Sequence, residues 1–136
     1  MMGSYETNSR KVEKFMMAFD QTIRKKPTWP TAEEMELRLD LIDEEVEELK
    51  DAIYNEEGTL VDVADALSDI LYVVYGAAHT FGIDIEACFR EVQRSNMSKL
   101  GADGKPMYRE DGKVLKGPKY SEPNLKSILY GDEDDK

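Results

Sequence analysis

The feature that most constrains the fold of this sequence is a long amphipathic helical segment with carboxylates on a face that is not its solvent face. Between residues 31 and 56, apolar residues recur at alternating spacings of four and three, which predicts one buried stripe made of Met35, Leu39, Ile42, Val46, Leu49 and Ile53. Glu44, Glu45 and Glu48 lie outside both this stripe and the ordinary solvent face. A carboxylate in such a position is costly unless a cation neutralises it. The pattern therefore predicts an acidic site on a long helix.

The neighbouring sequence offers no basic side chain to neutralise these glutamates. No Lys or Arg lies between Lys50 and Arg90, although eight Asp and Glu residues do. A second helix is predicted over residues 60–81, and Asp65 and Asp69 share one face of it because they are four residues apart. Oxygen ligands on helices suit Mg²⁺, with Mn²⁺ as a substitute. We therefore predict a metal site held by Glu44, Glu45, Glu48, Asp69 and Asp65. The alternative is a solvated acidic face.

The overall charge argues against nucleic-acid partners, and its distribution divides the chain into an acidic part and a basic C-terminal arm. A net charge of −11 argues against nucleic-acid binding, which needs a basic footprint. Residues 90–126, however, contain nine Lys and Arg against five Asp and Glu. Such an arm would suit a polyphosphate substrate, because metals and basic groups can bind different phosphate oxygens. The alternative is that the arm only complements the acidic part of the chain electrostatically.

Length and hydropathy predict one domain over residues 1–130, followed by a disordered acidic tail at 131–136. The sequence has no secretory signal and no apolar run long enough to cross a bilayer, so we expect a cytoplasmic protein without membrane partners. The single cysteine, Cys88, is expected to be buried and unreactive.

The start and stop signals predict four main helices in an all-α bundle. They cover residues from Ser4 or Thr7 to Lys26, 31 to about 56, 60–81, and 84 to about 100. A capping box at Thr31 and Glu34 is predicted to begin the second helix, and Gly58 to close it. Asp84 is predicted to cap the fourth helix.

Two further features concern the ends of this bundle. Trp29 lies between two prolines, and we expect it to anchor the core rather than to stack on a base. Turn signals after residue 100 predict a small hairpin over residues 107–115 within a loop-like C-terminal arm. Phe15, Met16, Phe19 and the apolar third helix offer more apolar surface than one small core needs, which predicts a homodimer and leaves a dimer of dimers open.

Two blocks of the sequence resemble a known family. EEVEE at 44–48 and DALSDILYVVYG at 65–76 resemble the MazG-like all-α nucleoside triphosphate pyrophosphohydrolases, which are related to phosphoribosyl-ATP pyrophosphohydrolase and the dimeric dUTPases. The family pattern is E-x-x-E, a spacer, then E-x-x-D, and Glu45, Glu48 and Asp69 match it. Ala66 stands where the pattern has its third glutamate. Asp65, one residue away, could compensate for it, or the site binds fewer metals.

The later part of the chain is similar to one branch of that family. FGIDIEACFREVQRSNMSKL at 81–100 and DGKVLKGP at 111–118 resemble a branch with a C-terminal phosphate-binding arm. The resemblance implies that Asn96 and Lys99 contact the nucleotide and that Lys113 and Lys116 contact its phosphates.

The resemblance also implies an activity. Such enzymes cleave a nucleoside triphosphate between the α and β phosphates and release a monophosphate and pyrophosphate. Here Glu45 and Glu48 would be catalytic, with Glu45 orienting the attacking water as general base. The resemblance to this branch implies that the substrate is dUTP or a related pyrimidine nucleoside triphosphate.

Three other interpretations are open to the sequence. One is a non-enzymatic dimerisation or regulatory module whose acidic face binds a basic partner, and another is phosphoribosyl-ATP hydrolysis. A ferritin-like di-metal bundle is disfavoured, because it needs a Glu-x-x-His pair on each of two helices and the chain has one histidine.

Overall fold

The computed structural model describes residues 5–131, and in this range the chain is helical. Its five helices are α1 (Asn8–Ala18), α2 (Ala32–Tyr54), α3 (Leu60–Phe81), α4 (Ile85–Met97) and α5 (Leu125–Tyr130). The β-structure of these residues is one antiparallel bridge between Tyr108 and Val114. The predicted all-α class is confirmed, and α5 was not predicted. None of these helices is long and apolar enough to cross a membrane.

The chain separates into two compact units, Met1–Ile83 with α1 to α3 and Asp84–Lys136 with α4 and α5. The single domain over residues 1–130 stays a prediction. The tail predicted to be disordered falls almost entirely on residues 132–136, which lie outside the described residues, as do residues 1–4 and the alternative helix start at Ser4.

Helix α1 is shorter than the sequence predicted. It begins at Thr7, whose hydroxyl accepts a hydrogen bond from the Arg10 amide at 3.0 Å. It ends at Ala18 and not at Lys26. Two residues later Asp20 has a φ of +57°, a left-handed conformation that a right-handed helix cannot contain. The helix prediction for residues 19–26 is therefore wrong.

The connector after α1 pairs with the end of α3 instead of continuing the helix. The Arg24 amide donates to the His79 carbonyl at 2.9 Å, and the Thr28 amide donates to the Phe81 carbonyl at 2.9 Å. Gly82, which ends α3 with a φ of +71°, lies so close to this connector that a β-carbon there would collide with a backbone carbonyl of the connector. Glycine is therefore required at this position for both conformation and space.

Helices α2 and α3 begin with the same local device. In each, a threonine hydroxyl caps the third helical amide while the acid at that position accepts from the threonine amide; the pairs are Thr31 with Glu34 and Thr59 with Asp62. The predicted starts are confirmed. Helix α2 ends at Tyr54 with Asn55 as its cap, so the predicted closure at Gly58 is wrong. Gly58 instead lies in the turn between the helices.

The stripe predicted to be buried on α2 is only partly covered. Leu39 and Ile53 are 63% and 57% exposed. The face that meets α3 instead carries Arg38, Glu45 and Glu48, which lie opposite small or acidic residues of that helix. The prediction holds only in part, since the other four residues of the stripe are half-buried. Periodicity locates an apolar stripe but does not reveal which face the neighbouring helix covers.

Most of the buried residues of the first unit come from α1 and α3. Val12 and Met16 of α1 are buried, as are Ala66 and Ala78 of α3. Trp29 is 83% exposed, and its ring lies in a T-shaped arrangement with the Phe81 ring, at 6.1 Å between centroids. The prediction that Trp29 anchors the core is therefore wrong, because Pro30 is the buried residue of this segment.

In the second unit, the arm folds back along α4. Asp84 caps α4 as predicted, but the helix ends at Met97 and not near residue 100. The Asn124 amide donates to the Glu91 carboxylate at 2.7 Å, and the Arg94 guanidinium donates to the Glu122 carbonyl at 3.0 Å. The predicted hairpin is present in minimal form, because two backbone hydrogen bonds flank its single bridge.

We predict that Glu13 stabilises the first unit through its charge. Its carboxylate, 8% exposed as a residue, accepts hydrogen bonds from Lys25 and Arg10, which lower its pKa to about 2. Because the folded pKa lies below the ordinary value, this stabilisation is present above about pH 4.5 and is lost as the pH falls towards 2. Glu13→Gln should lower the free energy of unfolding at pH 7 by about 1–3 kcal/mol.

Urea denaturation followed by circular dichroism measures this difference at pH 7 and at pH 3, where it should be smaller. The matched control is Glu6→Gln, because Glu6 pairs with Lys14 on the surface, where solvent screens the pair, and its substitution should change stability much less. Equal effects of the two substitutions at pH 7 would contradict the prediction.

Candidate metal centre

Three carboxylates from α2 and α3 converge in the first unit. Glu45, Glu48 and Asp69 each offer one oxygen, and these oxygens lie within 4.8 Å of one another. Glu45 and Glu48 are three residues apart, so they lie on one face of α2. Asp69 faces them from α3. Of the predicted ligands, the structure therefore brings these three together, and their role as ligands stays a prediction.

The electrostatics of this cluster favour an additional positive charge. The pKa of Glu45 is raised to about 7, first by a shared hydrogen bond with the Glu48 carboxylate, then by burial and by the charges of Glu48, Asp69 and Glu44. The pKa of Asp69 is also raised, mainly by burial and then by the charges of Asp65 and Glu48. In a protein without metal, the cluster therefore resists full ionisation at neutral pH.

One oxygen of the cluster has no protein partner. Glu45 Oε2 is buried and accepts no hydrogen bond from the residues that the structure describes. None of the ion pairs within residues 5–131 includes Glu45, Glu48 or Asp69. Buried oxygens of this kind are normally satisfied. A hard divalent cation fits this donor set, because all three donors are carboxylate oxygens and each is disfavoured by its like-charged neighbours.

The two other predicted ligands lie at the margin of the cluster. Glu44 is exposed, and its charge contributes to raising the pKa of Glu45. Asp65 is exposed and lines an adjacent cleft of about 280 Å³. The structure does not place the oxygens of Glu44 or Asp65 within the three-carboxylate cluster.

This adjacent cleft is strongly acidic. Its carboxylates come from the C-terminal part of α2 and the first turns of α3, namely Glu48, Asp51, Asp62 and Asp65. Ala66, which stands where the family pattern has glutamate, is buried in its wall. Glu48 therefore lies both in the cluster and in the cleft. Asp51 is exposed in this cleft and was not among the predicted ligands.

The predicted phosphate-binding residues belong to the second unit. Asn96 lies in the last turn of α4, and Lys99 follows the end of that helix. The Gly117 amide donates to the Lys99 carbonyl at 2.8 Å, which brings the backbone beside Lys116 to the end of α4. Lys113 lies at the end of the small hairpin.

The charges of these lysines are not used by acidic side chains. Within residues 5–131, no ion pair includes Lys99, Lys113 or Lys116. Lys116 Nζ lies 4.7 Å from the centre of the Tyr120 ring. Unpaired ammonium groups of this kind can bind phosphate oxygens.

The first unit thus places a cluster of three carboxylates between α2 and α3. The sequence profile of the phosphoribosyl-ATP pyrophosphohydrolase family matches residues 12–96 of this chain. The chain belongs to that family, and the resemblance to the MazG-like superfamily is confirmed at this level. The matched range includes Glu45, Glu48 and Asp69.

Two individual proteins are also similar to the chain. An uncharacterized protein of Acanthamoeba polyphaga mimivirus is 54% identical over 52 residues, which are 38% of this chain. The chain spans a fifth of that relative's length. The crystal structure of a candidate NTP pyrophosphohydrolase from Exiguobacterium sp. 255-15 is 22% identical, with a TM-score of 0.48, and the match covers 90% of this chain and 92% of the other.

We predict that Mg²⁺ and Glu45→Gln each stabilise the protein at pH 8 and that the two effects do not add. The raised pKa of Glu45 means that metal-free wild type loses stability as the pH rises from about 4.5 to 7. At pH 8, Glu45→Gln should therefore unfold at a higher temperature than metal-free wild type. Mg²⁺ should stabilise the wild type, by about 2.7 kcal/mol at a hundredfold excess over its Kd, and should stabilise the variant much less.

Thermal unfolding at pH 8 with EDTA or with Mg²⁺ measures both effects. Glu47→Gln is the matched control, because Glu47 is exposed on the same helix and pairs with Lys50. An equal Mg²⁺ stabilisation of wild type and Glu45→Gln would remove Glu45 from the ligand set.

Proposed function

We propose that this protein hydrolyses a nucleoside triphosphate, such as dUTP, between its α and β phosphates in a Mg²⁺-dependent reaction. The observation that carries the proposal is the three-carboxylate cluster of Glu45, Glu48 and Asp69, with its buried unpartnered oxygen. Membership of the phosphoribosyl-ATP pyrophosphohydrolase family supports pyrophosphohydrolase chemistry generally. The products would be a nucleoside monophosphate and pyrophosphate.

The acidic residues divide the work of the reaction. Glu45, Glu48 and Asp69 would hold Mg²⁺, with Glu44 and Asp65 adding negative potential and further oxygens at the margin. When bound, Mg²⁺ would polarise the phosphate and lower the pKa of water. Glu45 would orient the attacking water and accept its proton.

The basic residues of the second unit would bind the remainder of the substrate. Lys113 and Lys116 would offset charge on the β and γ phosphates, and Asn96 and Lys99 would contact the nucleotide. This division of roles is supported by the absence of acidic partners for Lys99, Lys113 and Lys116 within residues 5–131.

We also propose a homodimer. Apolar side chains of α1 and α3 that a small monomer would normally cover are exposed: Phe19 by 63%, Leu67 by 48% and Leu71 by 54%. Leu39 and Ile53 on α2 add to this surface. Exposed apolar area of this extent favours association between copies. Sedimentation velocity should give about twice the mass of one chain, and a monomer at micromolar concentration would exclude the dimer.

We predict that Glu48→Gln and Asp69→Asn each lower Mg²⁺-dependent pyrophosphate release from dUTP by roughly a hundredfold or more, because each removes a ligand oxygen charge. Both variants should keep wild-type helical circular dichroism. Glu47→Gln should keep wild-type activity. Retained activity in both ligand variants would rule out the assigned site.

We predict that Lys113→Met and Lys116→Met each raise the KM for the triphosphate by roughly two- to fivefold, as expected for exposed charge pairs. Binding of the corresponding monophosphate, measured by calorimetry, should change less, because it lacks the β and γ phosphates. Lys105→Met is the control on the same arm. If the substitutions weakened binding of the monophosphate as much as binding of the triphosphate, these lysines would not contact the β and γ phosphates.

A further inference from the structure

A half-buried arginine with spare hydrogen-bond donors lies in the first unit outside the carboxylate cluster. The Arg38 guanidinium donates one hydrogen bond in the described part of the chain, from Nη2 to Gln21 Oε1 at 3.2 Å. Burial lowers its pKa, because the guanidinium has lost part of its hydration. A guanidinium has five N–H donors, so most of its capacity is unused by the protein.

The carboxylate whose charge acts on Arg38, that of Glu34, is already engaged by other donors. Glu34 accepts two hydrogen bonds from Arg24, at 2.8 and 3.2 Å, and a third from its capping partner Thr31. Arg24 also donates to the Thr80 carbonyl at 2.7 Å. Arg24 is therefore a structural arginine with its donors engaged, whereas Arg38 retains free donors.

A glycine makes room for this guanidinium. A β-carbon at Gly76 of α3 would lie 2.8 Å from Arg38 Nη1, closer than such atoms approach in proteins. Gly76 is buried, so the guanidinium occupies the space where other residues would have a side chain. Arg38 is thus held over the backbone of α3 and does not extend freely into solvent.

Arg38 lines a cleft of about 230 Å³ together with Asp20, Gln21 and Thr80. This volume is below that of most sites for drug-sized ligands, so it suits a fragment such as a single heterocycle. Asp20 has the one positive φ among the non-glycine residues that the structure describes, +57°. Conformations of this kind tend to occur at functional sites.

The position of the cleft relates it to the carboxylate cluster. Arg38 precedes Glu45 by seven residues, which is two helical turns or roughly 10 Å along α2 on the same face. Gly76 follows Asp69 by seven residues on α3. On both helices the residue at the cleft is therefore seven residues from a residue of the carboxylate cluster. The sugar of a nucleotide separates its base from its α-phosphate by a comparable length.

We propose that this cleft binds the base of the nucleotide and selects bases with a ring carbonyl beside a ring N–H, as in uracil, thymine and guanine. Arg38 donates to the carbonyl, and the acceptors beside it, Asp20 or the Gln21 carbonyl, receive the N–H. A free anion is a poorer occupant, because Asp20 and Glu34 line the same cleft. Adenine lacks the carbonyl and leaves the half-buried cation without its acceptor.

This inference rests on the proposed hydrolase function, and the experiment separates the two. Pyrophosphate release with Mg²⁺ is measured on dUTP, dTTP, dGTP and dATP for wild type, Arg38→Met and Gly76→Ala. Arg38→Met should lower kcat/KM for the three carbonyl-bearing substrates by roughly ten- to a hundredfold and for dATP by less than about threefold. The loss should appear mainly in KM, since Arg38 is not at the reacting phosphate.

Gly76→Ala keeps every charge but displaces the guanidinium, so it should reduce the same preference to a smaller extent. It also decides the question if Arg38→Met does not fold. Lys50→Met is the matched control, because it removes an exposed charge from the same helix. Equal losses on all four substrates, or no loss, would overturn the base assignment and leave the hydrolase proposal intact.

Binding of dUMP and dAMP to wild type and the same variants, measured by calorimetry, tests the base site without catalytic turnover. If wild type releases no pyrophosphate from any nucleotide, the hydrolase proposal fails. The base site then stands if dUMP binds more tightly than dAMP and Arg38→Met abolishes the difference. It is overturned if neither nucleotide binds, or if both bind alike.

Discussion

The repulsion among three carboxylates held within 4.8 Å is the constraint on which the remaining organisation of this protein depends. Two helices that pack through acidic faces are unfavourable unless positive charge enters between them. The fold brings them together through features outside the cluster: capping boxes at Thr31 and Thr59, small residues on α3, and the connector that joins α1 to the end of α3. The stability of these other features thereby holds the three carboxylates together despite their repulsion.

In this arrangement, the residues that stabilise the fold are different from the residues of the carboxylate cluster. The raised pKa of Glu45 indicates that a proton can partly substitute for the cation when metal is absent. Arg38, two turns along the same face, adds a fixed positive charge that the protein itself leaves largely without acceptors. One face of α2 thus carries both the carboxylate cluster, where we propose that a metal ion binds, and the fixed charge of Arg38. This pairing would suit a ligand that has a negative end and a carbonyl-bearing end.

Several features set by local chemistry were predictable from sequence, whereas those set by tertiary contacts were not. The start of α3 at Thr59 and its end at Gly82 depend on hydrogen bonds within a few residues, so the sequence revealed both. The end of α1 depends on pairing with a distant helix, and Trp29 is exposed because its neighbour Pro30 is buried instead. Neither leaves a periodic signal.

The candidate site divides in the same manner. Glu45, Glu48 and Asp69 stood out because charge is unusual at those helical positions. Arg38 did not stand out, since a single arginine on a helix normally lies in solvent, and only its fit against Gly76 distinguishes it. Residues 38, 41, 45, 48 and 52 share one face of α2, so their spacing could have linked Arg38 to the glutamates. This link could be recognised only once it was known that this face packs against α3.

The two capping boxes have a consequence for how this chain can vary in length. Each fixes the first residue of its helix, so the number of residues from cap to carboxylate determines the direction in which that carboxylate points. One residue inserted between Thr59 and Asp69 would rotate the aspartate by about 100° away from α2. The same insertion in the turn between Asn55 and Thr59 would leave that angle unchanged. Relatives that retain the chemistry should therefore differ in loop length before the second cap and be invariant in length after it.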